Sequence, residues 1–166
     1  DDSEQLAWLE QALSGSAATW KVVTMHHPIH SPDGGEPYFF LFPFWKKGHK
    51  PELRLRDQLE ALFIEHGVDA VFQGHNHFYA RTVPQRGIRY IVSGAGGKNP
   101  YEHEPEPGYV VDEPSRGKFN EFVYVRLSES RFEYCTIDAD GQTRDSGWFR
   151  KDDPTDSDFD ASACPF

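Results

Sequence analysis

Residues 68–77 read VDAVFQGHNH, a short apolar run that stops abruptly at Gly-His-Asn-His. The β-branched and aromatic side chains of this run predict a buried strand over Val68–Gln73. His75 and His77 follow at once, so we expect both at the carboxyl end of that strand, where the sites of open parallel sheets lie. Imidazole is a common ligand of zinc, iron and similar metals. The pair therefore indicates a metal site rather than two unrelated histidines.

An earlier segment of the chain has the same arrangement. Trp20–Met25 predicts a second strand, and this strand ends at His26-His27-Pro28. Between the two strands, the apolar residues of 55–63 recur at the spacing of one helical face. Strand, helix and strand make a parallel βαβ unit, in which both strands end at the same edge of the sheet. We therefore expect His26 to lie beside the later pair of histidines.

Four further histidine and proline positions bear on the same site. Pro28 restricts His27 to an extended backbone, so the rings of His26 and His27 are expected to point to opposite sides, with only one of them facing the site. The long aromatic segment that follows contains His30 and His49, which are candidate substrate-binding residues. This segment is expected to pack as an inserted lobe or, alternatively, to form a wall beside the substrate.

The rest of the chain predicts a short amphipathic helix near the start and mostly antiparallel strands after the βαβ unit. The fold class is therefore α/β. The acidic residues 151–166 predict a flexible tail, so the folded unit is expected to span 1–150. The remaining elements are expected as a helix at 4–14, a hairpin of 78–83 with 88–93, a surface loop at 98–118, and strands at 119–127, 131–137 and 142–149.

Composition excludes several classes of protein. The 166 residues carry a formal net charge of −10, which argues against a nucleic-acid or membrane-surface partner. No apolar run approaches the ~20 residues that a membrane-spanning helix needs. Cys135 and Cys164 are too few for a disulfide framework, and we expect each to be independent or one to pair outside the chain, although a tail that folds back would let them pair. The chain also lacks a Gly-x-Ser-x-Gly nucleophile motif and a phosphate-binding loop.

Five segments together resemble the C-terminal half of a calcineurin-like metallophosphoesterase, most closely the purple acid phosphatase branch. They are QLAWLE from Gln5, KVVTMHHP from Lys21, VDAVFQGHNHFYAR from Val68, YIVSGAGG from Tyr90 and FVYVRL from Phe122. The resemblance implies a four-layer α/β/β/α sandwich, of which this chain forms the C-terminal portion. It also implies hydrolysis of a phosphoester substrate by a centre of two divalent or trivalent ions, Fe, Zn or Mn.

The resemblance also assigns roles to single residues. His26 and His75 match ligands of one metal, and His77 matches a ligand of the other. His27 matches a position that is not a ligand in that family, and we give it a substrate-facing, catalytic role. The family's N-terminal Gly-Asp and Gly-Asn-His motifs are missing, and with them the bridging aspartate and the main acid. Because the chain begins at Asp1 without these motifs, we expect its N-terminal half to be absent, or supplied by a second chain.

The sequence is compatible with three hypotheses about the function of the chain. The chain is half of a binuclear phosphoesterase, a non-catalytic metal-binding or interaction domain with an incomplete site, or a mononuclear three-histidine zinc hydrolase. Three imidazoles cannot offset the charge of two metal ions, so the chain alone is expected to bind at most one ion well and to turn over poorly. Without the missing layers of the sandwich, an apolar face of a sheet would be exposed, so the chain alone is expected to aggregate or to form homo-oligomers. Only the resemblance suggests an extracellular or periplasmic location.

Overall fold

A computed structural model describes residues 2–32, 52–102, 116–151, 153–158 and 164 of the chain. Within these ranges the chain forms two helices and nine strands arranged in two sheets. The helices are α1 (Asp2–Ser14) and α2 (Leu53–Glu65). The strands are β1 (Val22–Met25), β2 (Ala70–Gln73), β3 (Tyr79–Arg81), β4 (Arg89–Ser93), β5 (Arg116–Gly117), β6 (Glu121–Leu127), β7 (Phe132–Asp138), β8 (Thr143–Arg150) and β9 (Asp153–Asp158).

The first sheet contains the predicted parallel unit. Its strand order is β1-β2-β4-β3-β5, and β1 runs parallel to β2 with α2 between them in the chain. This confirms the βαβ prediction. β4 also runs parallel to β2, whereas β3 is antiparallel to β4 and forms the predicted hairpin with it. β5 lies in a region that was expected to be only a surface loop, and it adds a short edge strand beside β3.

The two sheets and the helices form three successive layers. Side chains alternate between the two faces of a strand, so neighbouring residues of β2 contribute to different cores. Val71 packs with Leu59 and Phe63 of α2 on the helical side, together with Leu13 of α1. Ala70, on the opposite face, packs against the second sheet through an aromatic cluster. That cluster contains Phe132, Tyr134 and Phe149. Helix, sheet and sheet are three of the four predicted layers.

A buried ionic contact joins the two sheets. The Arg81 guanidinium of β3 donates hydrogen bonds to both carboxylate oxygens of Asp145 on β8, at 2.9 and 3.2 Å. The Tyr79 hydroxyl donates to the same carboxylate at 2.7 Å. Arg81 is 6% exposed and Asp145 is 3% exposed. Burial, with the Asp145 charge beside it, raises the pKa of Tyr79 well above its usual range, so the phenol stays protonated as a donor.

The second sheet has the order β6-β7-β8-β9, and its last strand corrects a prediction. Residues 151–166 were expected to form a flexible tail, but Asp153–Asp158 pair antiparallel with β8. The pairing uses main-chain groups, which need no apolar side chains, so hydrophobic patterning could not reveal it. Cys135 and Cys164 were expected to be independent, but they form a disulfide with 6.0 Å between their Cα atoms. The disulfide therefore holds Cys164 against β7.

Neither helix of the described ranges is long and apolar enough to cross a membrane. Each has only 13 residues.

Candidate metal centre

The register of the parallel strands places the histidines side by side. Met25, the last residue of β1, pairs with Gln73, the last residue of β2. The chain leaves the sheet at both points toward the same edge, and the Gly74 amide donates to the His26 carbonyl at 3.0 Å. His26 and His75 are thus brought together by the topology, as the sequence predicts.

Three imidazoles converge at this edge. His75 Nδ1 lies 3.3 Å from His26 Nε2. One nitrogen from each of His26, His27 and His75 lies within 4.8 Å of the other two. His26 and His27 are exposed, and His75 is half-buried. The ring centroids of His27 are 4.8 Å from His26 and 4.7 Å from His75. The site is therefore open to solvent and rich in neutral nitrogen donors.

The position of His27 corrects an expectation. Its ring was predicted to point away from His26, but both rings lie beside His75. The prediction extended the alternation of a strand beyond the strand itself. β1 ends at Met25, so the two histidines lie in a turn where successive side chains need not alternate.

His75 has an unusual backbone conformation. Its φ is 65°, in the left-handed region that residues with a Cβ adopt at a cost of about 1–2 kcal/mol. Glycine or asparagine meets this requirement more easily. A histidine held in this conformation at the edge of a sheet is a common sign of a functional position. The backbone here therefore supports a role for the imidazole.

Two buried amide side chains hold the histidine-bearing loops in place. Gln73 Oε1 accepts hydrogen bonds from the backbone amides of Ile29 (2.7 Å) and His30 (3.1 Å), and Gln73 Nε2 donates to the His30 carbonyl at 2.6 Å. Asn76 Nδ2 donates to Ser31 Oγ at 2.7 Å. Sequence analysis missed both residues. The signal was a glutamine at the end of an otherwise apolar strand, where a polar side chain needs buried partners.

A third loop lies directly beneath the Gly-His-Asn-His turn. A Cβ on Gly94 would lie 2.1 Å from the Asn76 carbonyl oxygen, so only glycine permits this close approach. Glu121 of β6 holds the same loop by accepting hydrogen bonds from Ser93 Oγ (2.9 Å) and the Ala95 amide (3.2 Å). Burial raises the pKa of Glu121 above its usual value. The glycine-rich segment after β4 thus supports the turn that carries His75 and His77.

The other candidate histidines lie away from the cluster. His77 is not part of the group of three; its ring lies 6.0 Å from that of Tyr101, whose amide donates to the His77 carbonyl. His30 is 4% exposed, and its Nε2 lies 2.7 Å from Glu60 Oε1 of α2. Desolvation of the buried ring lowers the pKa of His30 and outweighs the opposing Glu60 hydrogen bond. His49 lies outside the described residues.

The three imidazoles fit a metal ion that prefers nitrogen ligands to oxygen ligands. Neutral imidazole suits Zn, Cu, Fe and Ni, whereas Mg and Ca prefer oxygen ligands. Among the described residues, the only group of three such side chains consists of His26, His27 and His75 and contains no carboxylate. Three uncharged ligands leave the charge of a bound cation uncompensated. A centre of two ions at this edge would therefore need acidic ligands from elsewhere.

Comparison with known proteins gives relatives of one kind. No family model matches the chain. Human tartrate-resistant acid phosphatase type 5 is 25% identical over 144 residues, covering 84% of this chain and 40% of the relative. Purple acid phosphatase 13 of Arabidopsis thaliana is 33% identical over 125 residues, covering 68% of this chain and 21% of the relative. Onion phosphoenolpyruvate phosphatase is 26% identical over 136 residues, covering 80% of this chain and 25% of that protein. The chain thus spans less than half the length of these relatives.

Solved structures share the fold. Purple acid phosphatase PPD1 from yellow lupin seeds matches with a TM-score of 0.71 at 22% identity, covering 89% of this chain and 28% of that one. GAP50, described as the anchor in the inner membrane complex of Plasmodium, matches with a TM-score of 0.70 at 15% identity, covering 89% of this chain and 42% of GAP50. PhoD matches with a TM-score of 0.63 at 14% identity, covering 95% of this chain and 35% of PhoD. In sequence and in fold, the chain resembles part of a purple acid phosphatase-like metallophosphoesterase.

Proposed function

We propose that this chain supplies the histidine-bearing edge of a phosphoester hydrolase with a binuclear metal centre. The observation that carries the proposal is the 3.3 Å separation of His75 Nδ1 and His26 Nε2 at the ends of two adjacent parallel strands. The sequence relatives are named as acid phosphatases, which supports a phosphate ester as the substrate class. The strained backbone of His75 gives independent support.

His26 and His75 would hold one ion, and His77 would contribute to the second. Iron, zinc and manganese are the metals proposed for the two sites. A metal at such a centre supplies Lewis-acid chemistry: it polarises phosphoryl oxygens and lowers the pKa of water. The chain's own contribution is to orient these imidazoles. Gln73 and Asn76 fix the two loops, so the donors are positioned by folding before any ion binds.

The proposal requires acidic ligands in addition to the three histidines. The group of three histidines contains no carboxylate among the described residues, and the relatives extend well beyond the matched region. β1 and β6 are edge strands of the two sheets, and each exposes apolar side chains. Val22 of β1 is 40% exposed; Phe122 and Leu127 of β6 are 49% and 47% exposed. These edges suit pairing with a further segment of a longer protein, or with a second copy of this chain.

The disulfide supports an oxidising location for the protein. Bonds of this kind persist in extracellular, periplasmic and similar compartments and are rare in reducing ones. The Cys135–Cys164 bond therefore favours the extracellular or periplasmic location that the relationship suggests.

Reconstitution tests the proposal. The 166-residue chain is assayed for hydrolysis of p-nitrophenyl phosphate and for bound metal, alone and together with the proposed N-terminal half supplied as a second chain. We expect the chain alone to bind one ion with little turnover, and the reconstituted protein to bind about two ions and be active. His66→Ala, which removes a histidine at the end of α2, is the matched control. Full activity from the 166 residues alone would contradict the proposal.

A non-catalytic role is the second candidate. The GAP50 structure has the same fold with nearly the same TM-score as the lupin phosphatase, and its description is that of an anchor. A shared fold does not establish a shared activity. A reconstituted protein that binds no metal and hydrolyses no phosphate ester would favour this reading.

A further inference from the structure

We propose that His27 is a metal ligand, and that with His26 and His75 it forms a three-imidazole site for one ion of the zinc class. The inference rests on the proposed function, because it assumes that this edge binds metal. It goes beyond that function by naming a third ligand for the ion held by His26 and His75. That function assigns His77 to the second ion and names no third ligand for the first.

The observed nitrogen separation matches a coordination edge. Zinc is bound by imidazole nitrogens at about 2.0–2.1 Å in tetrahedral geometry, so two ligating nitrogens lie about 3.3–3.4 Å apart. His75 Nδ1 and His26 Nε2 are 3.3 Å apart. One nitrogen of His27 lies within 4.8 Å of one nitrogen of each of the other two rings. An approach of about 1.5 Å or less would therefore close the widest gap in this group to the spacing of two zinc ligands.

The exposure of His27 leaves its ring room to approach the other two. The backbone just after His27 is anchored, because Pro28 is buried and the Ile29 amide donates to Gln73. The His27 side chain itself is exposed, so its ring has room to turn toward the other two. Rotamer changes of exposed side chains are fast.

The location of His77 argues against it as the third ligand. Its ring lies beside Tyr101, and its nitrogens are not part of the group of three. The proposed site leaves the fourth tetrahedral position open, as catalytic zinc sites with three protein ligands do. His77 remains available to the second ion of the proposed function.

Metal binding by the 166-residue chain tests the assignment. Zn²⁺ affinity is measured by competition with a chromophoric chelator, and Co²⁺ is used as a spectroscopic substitute. The proteins compared are wild type and the variants His26→Ala, His27→Ala, His75→Ala, His77→Ala and His66→Ala. We expect His27→Ala to lose at least about 100-fold in Zn²⁺ affinity, since even residues behind the ligands cost 10–100-fold. The loss in His27→Ala is expected to exceed that in His77→Ala, and His66→Ala, which lies outside the site, is expected to stay within about threefold of wild type.

A second variant reports ligation directly. His27→Cys loaded with Co²⁺ gains a thiolate-to-metal charge-transfer band in the near ultraviolet if residue 27 binds the ion. Thermal unfolding followed by circular dichroism confirms that each variant is folded, and His27→Gln replaces His27→Ala if the latter is not.

The outcomes separate the two claims. If His27→Ala binds Zn²⁺ like wild type while His26→Ala and His75→Ala bind weakly, the His27 assignment is overturned and the proposed metal centre stands. The same holds if the cysteine variant shows no charge-transfer band. If wild type does not bind Zn²⁺, or if His26→Ala and His75→Ala bind as well as wild type, the proposed centre fails and the inference fails with it.

Discussion

The two sheets of this molecule carry different kinds of side-chain groups. The first ends in imidazoles that are exposed to solvent, one of them on a strained backbone. The second is braced by ionic contacts between its own residues and by a disulfide: Arg126 donates to Glu133, Arg144 donates to Asp138, and Cys135 bonds Cys164. The groups that would bind metal and the groups that hold the structure together thus lie largely in different places.

This difference makes stability and metal binding separable by experiment. The ion pairs of the second sheet have exposed arginines and are expected to contribute little, because solvent screens them. Buried contacts and covalent bonds contribute more. Substitutions in the second sheet should therefore lower stability without changing Zn²⁺ affinity. Substitutions of the histidines at the edge of the first sheet should lower Zn²⁺ affinity with little change in stability.

The largest loss of stability is expected for Asp145→Ala. This change leaves the buried Arg81 guanidinium without the carboxylate that accepts its hydrogen bonds, and such losses cost about 3–5 kcal/mol. Urea unfolding measures the change, with Asp140→Ala in an exposed turn as the control. Zn²⁺ affinity should be unchanged. A loss below about 1 kcal/mol would show that this contact does not hold the sheets together.

Breaking the disulfide should have the next largest effect. The bond closes a loop across a sequence separation of 29, for which the chain-entropy relation gives about 3–4 kcal/mol. Unfolding of the wild type with and without reductant measures it. The Cys135→Ala/Cys164→Ala double variant is the control, since reductant should not alter its stability. An unchanged unfolding midpoint for reduced wild type would argue that the tail contributes nothing.

Gln73→Ala is expected to lower both stability and Zn²⁺ affinity. It removes three hydrogen bonds to the backbone of Ile29 and His30, and unsatisfied buried groups cost about 1–3 kcal/mol each, so a loss of about 2–4 kcal/mol is expected. The loosened loop should also lower Zn²⁺ affinity by roughly 10-fold. Gln58→Ala on the exposed side of α2 is the control. Wild-type Zn²⁺ affinity in Gln73→Ala would show that the loop does not position the ligands.

The smallest difference in stability is expected between His75→Gly and His75→Ala, with the glycine variant the more stable of the two. Glycine adopts the 65° φ of this position without the cost that a Cβ brings, so His75→Gly should be about 1 kcal/mol more stable than His75→Ala. Both variants should lose Zn²⁺ binding. Chemical denaturation compares the two, and equal stability would mean that the residue relaxes out of the left-handed region when the imidazole is removed.

The sequence was sufficient to predict that His26 and His75 lie side by side. The apolar runs that end at His26 and His75, with one helix between them, require parallel strands, and parallel strands share their carboxyl edge. The same reasoning could not predict the directions of the rings. His27 and His77 lie in turns, where side-chain direction depends on backbone angles that periodicity does not report.

Contacts between distant segments were also beyond reach of the sequence. β9 forms through main-chain hydrogen bonds, and the Asp-rich composition of that segment favours a prediction of coil. The partner of Cys135 depends on where the chain goes after β9. Gln73 was visible as a polar residue closing an apolar strand, but its partners come from a loop more than 40 residues earlier.

The buried amide of Gln73 has a consequence for protein engineering. Because this one side chain contacts the loop after β1 from the last position of β2, neither loop is an independent module. Grafting residues 26–32 onto a related scaffold would transfer the imidazoles without their spacing unless a glutamine stood at the matching strand end. A successful transplant has to carry both segments together, as a single cassette.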